Sequence, residues 1–194
     1  HFTPTDQLVG KVHKETNFNL KRESSATLPD LGLLQYGFPF ASPQDLSKTK
    51  IVVPENPSAT NVLTLLEFSE RLGRLSEASS VELDVHTPKT LSNQQQIKNN
   101  NHIVAIGTQK NFPLPEILEK SQGLNLQTSF QRLFGSKEEK EQAKIQAPID
   151  GQGMIKEIIS PWNDKRVVLA LTAQTEFGLD RVRQVLSRDP WFFQ

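Results

Sequence analysis

Residues 28–73 read LPDLGLLQYGFPFASPQDLSKTKIVVPENPSATNVLTLLEFSERLG and decide the fold of this chain. An aromatic, proline-rich extended segment leads into the run Lys50-Ile51-Val52-Val53, which Pro54 stops. A short run of β-branched residues without polar alternation is typical of a strand that is buried on both faces. The stretch therefore predicts the opening strand of an α/β domain.

A helix is predicted directly after this strand. Pro57 suits the first turn of a helix and Ser58 can cap it. Apolar residues then recur at helical spacing, which predicts a single core-facing stripe. We expect a left-handed glycine cap at Gly73. The predicted stripe consists of Val62, Leu65, Leu66, Ser69 and Leu72.

Strands and helices alternate along the rest of the chain. The sequence predicts strands at 81–85 and 102–107, a brief helix at 113–118, and a polar helix or exposed loop at 92–101. The charge-rich segment 136–146 predicts a solvated region. This alternation, with strands buried on both faces, predicts a doubly wound, mostly parallel α/β sheet.

The C-terminal third predicts an antiparallel hairpin at one edge of that sheet. Apolar β runs at 154–159 and 166–172 flank a short linker that is rich in turn-forming residues. A helix over 174–186 then closes the domain, with Leu179, Val182, Val185 and Leu186 on its apolar face.

Composition excludes several classes of site. The 194 residues include 22 basic and 22 acidic side chains without a basic stripe, so we expect no nucleic-acid partner. The chain has no Cys, which excludes disulfides, thiolate catalysis and cysteine-based metal sites. No apolar run of about 18 residues occurs, so the visible chain is not expected to span a membrane. Because His1 is not a natural start, we expect a processed chain or an excised fragment.

The first 46 residues differ in pattern from the rest. They are weakly alternating, broken by Pro, Gly and polar residues, and indicate extended or β-type chain. A segment of this length cannot bury an adequate core by itself. We therefore expect a boundary that separates an N-terminal segment, 1–46, from an α/β domain, 47–194.

Four pieces of the chain, in order, resemble the family of periplasmic regulatory subunits of bacterial cellulose synthase. That family alternates jelly-roll carbohydrate-binding domains with flavodoxin-like domains and ends in a membrane anchor. The resemblance identifies 47–194 as the second flavodoxin-like domain and 1–46 as the end of the preceding carbohydrate-binding domain with its linker. The matching pieces are Leu28–Leu31 with Gly37–Phe40, Asp45–Pro54 with Pro57-Ser58, Ile103–Thr108, and Ser160–Asn163 before Arg166–Thr172.

This resemblance implies a non-catalytic scaffold or docking domain of an accessory subunit. The implied partners are the membrane-embedded cellulose synthase catalytic subunit and, as a further candidate, the glucan chain. The implied location is the periplasmic side of the bacterial inner membrane, with a C-terminal anchoring helix that this chain does not contain. Cyclic di-GMP binding is also ascribed to this family, but a dinucleotide site would need Arg-rich, Gly-containing loops that the sequence lacks.

The residues themselves indicate no catalytic, cofactor or metal site. In the loop 54–60, two prolines remove N–H donors and Glu55 adds negative charge, which disfavours a phosphate. A phosphoacceptor domain would need an acid after the third strand and a Lys after the last one, where the chain has Gly107-Thr108 and Ala173-Gln174. The four His residues form no i,i+4 pair, and no paired acids are placed for glycosidase chemistry.

Aromatic residues are the remaining candidates for an interface or a glucan contact. Tyr36, Phe38 and Phe40 could form a sugar-stacking platform, or they could anchor the linker onto the α/β domain, which we favour. Trp162 could pack over the sheet edge or mark a docking surface. Two further functions stay open: a flavodoxin-like domain that binds a small ligand or nucleotide, and a module that binds glucan directly.

Overall fold

The computed structural model describes residues 29–92, 94–120 and 151–187. The predictions for residues 1–27 and 136–146 lie outside these ranges. The strands are Thr49–Val52 (β1), Asp84–His86 (β2), His102–Thr108 (β3), Gly153–Ser160 (β4) and Asn163–Ala173 (β5). The helices are Ala59–Leu75 (α1), Pro88–Ser92 (α2), Gln95–Asn100 (α3), Pro115–Lys120 (α4) and Glu176–Ser187 (α5), with 3₁₀ turns at Leu31–Tyr36 and Gln109–Asn111.

The five strands form one sheet in the order β2-β1-β3-β5-β4. The first four strands in this order run parallel, and β4 pairs antiparallel with β5. All seven residues of β3, at the centre, are buried. The predicted α/β class, the mostly parallel sheet and the C-terminal antiparallel hairpin are therefore confirmed.

Helices cover both faces of the sheet, as the doubly wound prediction requires. Apolar residues of α1 and α5 pack on one face against Ile51, Val104 and Leu169. Apolar residues of α2, α3 and α4 pack on the other face against Val52 and Ile103. Side chains of successive strand residues point to opposite faces, so neighbouring residues of one strand serve two separate cores.

The predicted face of α1 is wrong in part. The buried side chains are Asn61, Thr64, Phe68, Arg71 and Leu72, whereas Val62 and Leu66 of the predicted stripe are exposed. The helix also continues past Gly73 to Leu75, and its C-cap, Ser76, is extended. This helix has apolar residues on two of its sides. The side with Phe68 faces the core, where the large ring fills the space between the helix and the sheet.

Smaller differences concern β2 and the ends of the short helices. The second strand pairs at 84–86, later than the predicted 81–85, and Val81 and Val85 are exposed. The polar stretch 92–101, for which the sequence predicts a helix or an exposed loop, contains the helix α3. The brief helix α4 begins two residues later than predicted. On α5, Leu179, Val182 and Leu186 are buried as predicted, while Val185 is half-buried.

The segment before β1 packs on the same face of the sheet as α1. Asp30 caps its 3₁₀ turn by accepting a hydrogen bond from Gly32 N at 2.9 Å. Leu34, Phe40 and Leu46 are buried in the core that α1 and α5 share. Residues 29–46 thus contribute to the hydrophobic core, and the division of the chain at residue 46 stays a prediction.

Candidate functional site

Ligands of doubly wound sheets bind at the carboxyl ends of the strands, where the loop from β1 to α1 lies. In this loop Ser58 and Asn61 cap each other. Ser58 Oγ accepts from Asn61 N at 3.1 Å, and Asn61 Oδ1 accepts from Ser58 N at 2.9 Å. Two of the amide groups that would bind a phosphate at this helix end are therefore already hydrogen-bonded.

Carboxylates occupy the same edge of the sheet. The Ser58 hydroxyl donates to Glu176 Oε2 at 2.7 Å, which brings a negative charge from the first turn of α5 to the start of α1. Glu55 accepts a hydrogen bond from Lys89 N in the first turn of α2. Both side chains supply the negative charge that a bound anion would supply, so this edge disfavours phosphate. The prediction that the domain holds no cofactor stays a prediction.

The positions that a phosphoacceptor domain would use lie at neighbouring strand ends. Gly107 pairs with Thr172, and Thr108 with Ala173, in the register of β3 and β5. A Cβ atom at Gly107 would lie 3.1 Å from Asn111 O, so the following 3₁₀ turn folds closely over this strand end. Each strand ends one residue later than predicted, at Thr108 and at Ala173, and neither end has an acid or a lysine.

Phe40 is a core residue in this structure. Its ring is fully buried and makes an edge-to-face contact with Phe68, with centroids 6.3 Å apart. The His102 ring lies 5.9 Å away on another side. No face of Phe40 is therefore accessible to a sugar ring, and this residue must be removed from the candidate stacking platform.

Tyr36 and Phe38 remain at the surface. The Tyr36 side chain is 70% exposed, and Phe38 is half-buried. Gly37 stands between them with φ of 76°, in the left-handed region, and its N–H closes the 3₁₀ turn on Leu34 O. This turn separates the exposed Tyr36 from the buried Phe40.

Trp162 occupies the tight turn between β4 and β5. It is half-buried and packs against the core that α2, α3 and α4 cover. Lys98 Nζ lies 4.7 Å from the centroid of its ring and also pairs with Glu116 at 3.2 Å. The lysine thus covers one face of the indole, and its charge is held by a cation–π contact and an ion pair.

Two of the four His residues, His86 and His102, lie in the described part of the chain, and His102 is nearly fully buried there. Its Nδ1 accepts from Val167 N at 3.2 Å, and its Nε2 lies 3.2 Å from Nη1 of Arg166. Burial, followed by the nearby Arg166 charge, lowers the pKa of His102 to about 4. No cluster of three potential metal ligands occurs within residues 29–92, 94–120 and 151–187.

Glu157 is a second buried titratable residue that the sequence does not reveal. It lies on β4 opposite Leu169 and is 5% exposed. Neither carboxyl oxygen has a hydrogen-bond partner by normal geometry in the described chain. Burial, and then the charge of Asp30, raise the pKa of Glu157 to about 7, although the Asp30 backbone N–H partly offsets this.

The structure also shows that apolar side chains of α1 and of the edge strand β2 are exposed on the same side of the sheet. We define this α1–β2 surface by Val62, Leu66 and Val85, whose side chains are 39–58% exposed. Val85 pairs with Ile51 and so lies on the face that α1 covers. The sequence contains these residues as apparent core positions, and their exposure is visible only in the fold.

A family model for the second FD domain of cellulose synthase BcsB matches residues 24–171. The chain belongs to this family. BcsB is the periplasmic, membrane-anchored regulatory subunit, distinct from the catalytic subunit with which it associates. Among curated proteins, none matches this chain. None of the described helices has the length and apolar character required to cross a bilayer.

Membership in the BcsB family agrees with the observed sheet. The predicted flavodoxin-like domain and the predicted family are both confirmed. The match begins at residue 24 and includes the segment that packs Leu34 and Phe40 into the core. The chain is therefore part of an accessory subunit of cellulose synthase.

Proposed function

We propose that this BcsB domain is a non-catalytic spacer and docking element that orients its neighbours next to the cellulose synthase catalytic subunit. The observation that carries the proposal is the occupied carboxyl edge of the sheet. Ser58, Asn61 and Glu176 bond to one another at the start of α1. A flavodoxin-like sheet with this edge occupied can serve as a rigid body without serving as an enzyme.

A titration tests the docking role against the rival of a small-ligand domain. The purified chain is titrated with FMN, nucleotides and UDP-glucose by calorimetry, and we expect no saturable heat for any of them. The Ser58→Tyr variant places a large side chain at the start of α1. Micromolar affinity of the wild type for any of these ligands, lost in this variant, would reject the proposal. Replacement of Tyr36 by Ala serves as the control because this residue lies outside the loop.

Docking to the synthase is tested by reconstitution. The full-length accessory protein is combined with the catalytic subunit in membranes, with charge-reversing substitutions placed on one exposed surface at a time. We expect at least one surface of this domain to be required for stable association. Retention of full association by every surface variant would reject the docking role and leave only the spacer role.

A second proposal is direct glucan contact, and the exposure of Tyr36 favours it. A flat ring that is 70% exposed, beside the half-buried Phe38, can stack on the apolar face of a glucose unit. Retention on insoluble cellulose should disappear in the Tyr36→Ala, Phe38→Ala double variant. Phe177 is 57% exposed and provides the matched control, Phe177→Ala. Equal loss in both variants would contradict a specific contact.

A further inference from the structure

Glu157 is a buried acid on β4, an edge strand of the described sheet. It lies opposite Leu169, on the face of the sheet that α1 and α5 cover. Neither of its carboxyl oxygens has a hydrogen-bond partner by normal geometry among the described residues. An ionised carboxylate in this position lacks both water and a donor, which is strongly unfavourable. The fold therefore favours the neutral acid, and an ionised Glu157 becomes more stable when it reaches water.

The segment before β1 brings a second carboxyl group close to Glu157. The Asp30 N–H approaches the Glu157 carboxyl outside normal hydrogen-bond geometry, and the Asp30 charge acts on it. The Asp30 carboxylate is held at the start of the 3₁₀ turn Leu31–Tyr36, where its Oδ1 accepts from Gly32 N at 2.9 Å. Two neighbouring carboxylates repel each other when both are ionised. Burial and Asp30 together thus oppose the ionisation of Glu157.

The elements packed around Glu157 provide no ion pair for it within the described residues. Lys156 precedes it on β4, and the Lys156 side chain lies on the opposite face of the sheet. The charged side chains of α5 and of the adjoining side of α1 have other partners: Ser58 for Glu176, Asp180 and Glu67 for Arg183, the Phe177 ring for Arg181, and Leu186 O for Arg71.

Residues 30–39 are attached to the domain by fewer hydrogen bonds than α5 is. Among the described residues, their hydrogen bonds of normal geometry stay within 30–42. The first bond to the rest of the domain is at Phe40, whose carbonyl accepts from Thr49 Oγ1 at 2.6 Å. By contrast, α5 is bonded to α1 near both of its ends. A segment with few external bonds opens locally at a lower free energy than the whole domain.

We infer that Glu157 is a proton-dependent switch for residues 30–39. The neutral acid allows this segment to close over β4. The ionised acid favours the open segment, because opening separates it from Asp30 and admits water. Phe40, which is fully buried, stays in place as the point about which the segment opens. Residues 1–28 join the domain through this segment, so its opening changes how they are attached. The switch is independent of the docking role proposed above.

The direction of the pH dependence follows from the shift at Glu157. Its pKa is about 7 in the closed fold and 4.5 is its ordinary value in water. The closed segment therefore binds the proton more tightly than the open one. The ratio of open to closed segment should rise about tenfold for each pH unit between 4.5 and 7. Above pH 7 the ratio should stay constant, because Glu157 is then ionised in both states.

Hydrogen exchange of the whole chain tests the switch. The reporters are the hydrogen-bonded amides of Leu33, Gly37 and Phe38, and the amides of the fully buried strand β3 serve as the internal reference. Exchange is corrected for the direct effect of pH on the chemistry. We expect the reporters to exchange faster than β3, with protection at least about tenfold lower at pH 7 than at pH 5. Reporters that are protected equally at both pH values, or that exchange only together with β3, would overturn the inference.

Three variants assign the effect to its residues. Glu157→Gln removes the charge and should keep the segment closed at both pH values. Asp30→Asn removes the repulsion and keeps a side chain that caps helices well, so it should reduce the pH dependence. Glu70→Gln, at an acid that is 53% exposed on α1, is the matched control and should change nothing.

Circular dichroism verifies that the variants are folded, and Asp30→Asn decides the outcome if Glu157→Gln is not. A pH dependence that survives in Glu157→Gln would overturn the inference. So would an undiminished pH dependence in Asp30→Asn, or an equal loss of it in Glu70→Gln.

Discussion

The hydroxyl of Ser58 and the carboxylate of Glu176 form a hydrogen bond of 2.7 Å across a sequence separation of 118 residues. It joins the first turns of α1 and α5, the two helices on one face of the sheet. The helix that opens the domain is thus tied to the helix that closes it, at the edge where related folds bind ligands.

Ser58→Ala should lower the free energy of unfolding by about 0.5–2 kcal/mol, because it removes the N-cap of α1. Glu176→Gln should cost less, since an amide oxygen still accepts from the Ser58 hydroxyl. Urea unfolding of both variants and of the double variant measures the coupling between the two side chains. A Ser58→Ala variant as stable as the wild type would show that the cap contributes nothing.

Phe40→Ala should destabilise the domain by about 3–5 kcal/mol, the usual cost of removing a fully buried aromatic ring. Tyr36→Ala should change stability by less than about 0.5 kcal/mol, because the Tyr36 side chain is mostly exposed. Urea unfolding measures the free energy of unfolding of both variants. Similar costs for the two replacements would contradict the division of this aromatic segment into core and surface.

Gly153→Ala should destabilise the domain by more than about 2 kcal/mol, since a Cβ atom there would lie 2.6 Å from Gly178 O. At this point β4 and α5 approach each other too closely for any side chain. Gly73→Ala is the contrasting change, because it lies within α1 with open space around it. It should stabilise the domain by about 0.5–1 kcal/mol. Thermal unfolding measures both effects.

His102 and Glu157 should act on stability in opposite directions as pH changes. The pKa of His102 falls from 6.5 to about 4 on folding, so the unfolded chain binds the proton first and stability drops as pH falls from 6.5 toward 4. The pKa of Glu157 rises from 4.5 to about 7, so the folded chain binds the proton first and stability increases as pH falls from 7 toward 4.5. The two contributions largely cancel between pH 4.5 and 6.5.

Glu157→Gln should isolate the contribution of Glu157 to the pH dependence of stability. Relative to the wild type, its free energy of unfolding should fall by about 1 kcal/mol for each pH unit between 6.5 and 4.5. His102→Asn should show the reverse difference, because it removes a group that the unfolded chain protonates first. Urea unfolding at several pH values gives both profiles, and taking differences from the wild type removes the contributions of other groups. Profiles parallel to that of the wild type would contradict the buried, shifted pKa values.

The sequence predicts strands better than it predicts which helix face is buried. Uninterrupted β-branched runs, such as those around Ile51 and Ile103, predict a central strand, because a central strand is buried on both faces. In α1, by contrast, Leu66 and Phe68 are both apolar and lie on different sides of the helix. Periodicity alone does not show which of these two sides is buried. The position of α5 determines it.

The buried charges could not be predicted for a related reason. Burial is the main cause of the pKa shifts of His102 and Glu157, and the charges that add to them are Arg166 and Asp30, each more than 60 residues away in the chain. Only the tertiary fold brings them together. The sequence favours an anchoring role for the aromatic segment, but only the turn at Gly37 shows that Tyr36 is exposed while Phe40 is buried.

The strand order has a consequence for how the domain assembles. Among the described strands the last in sequence, β5, lies between β3 and β4, so β4 has no partner in the described sheet until β5 has been made. A chain that emerges amino terminus first, as during synthesis or export, can pair only β1, β2 and β3 at that stage. The edge of β3 that pairs with β5 then stays unpaired until the β4–β5 hairpin docks on it as one unit. If the carboxyl-terminal third of the chain emerges late, the unpaired edge of β3 can pair with a strand of another chain instead.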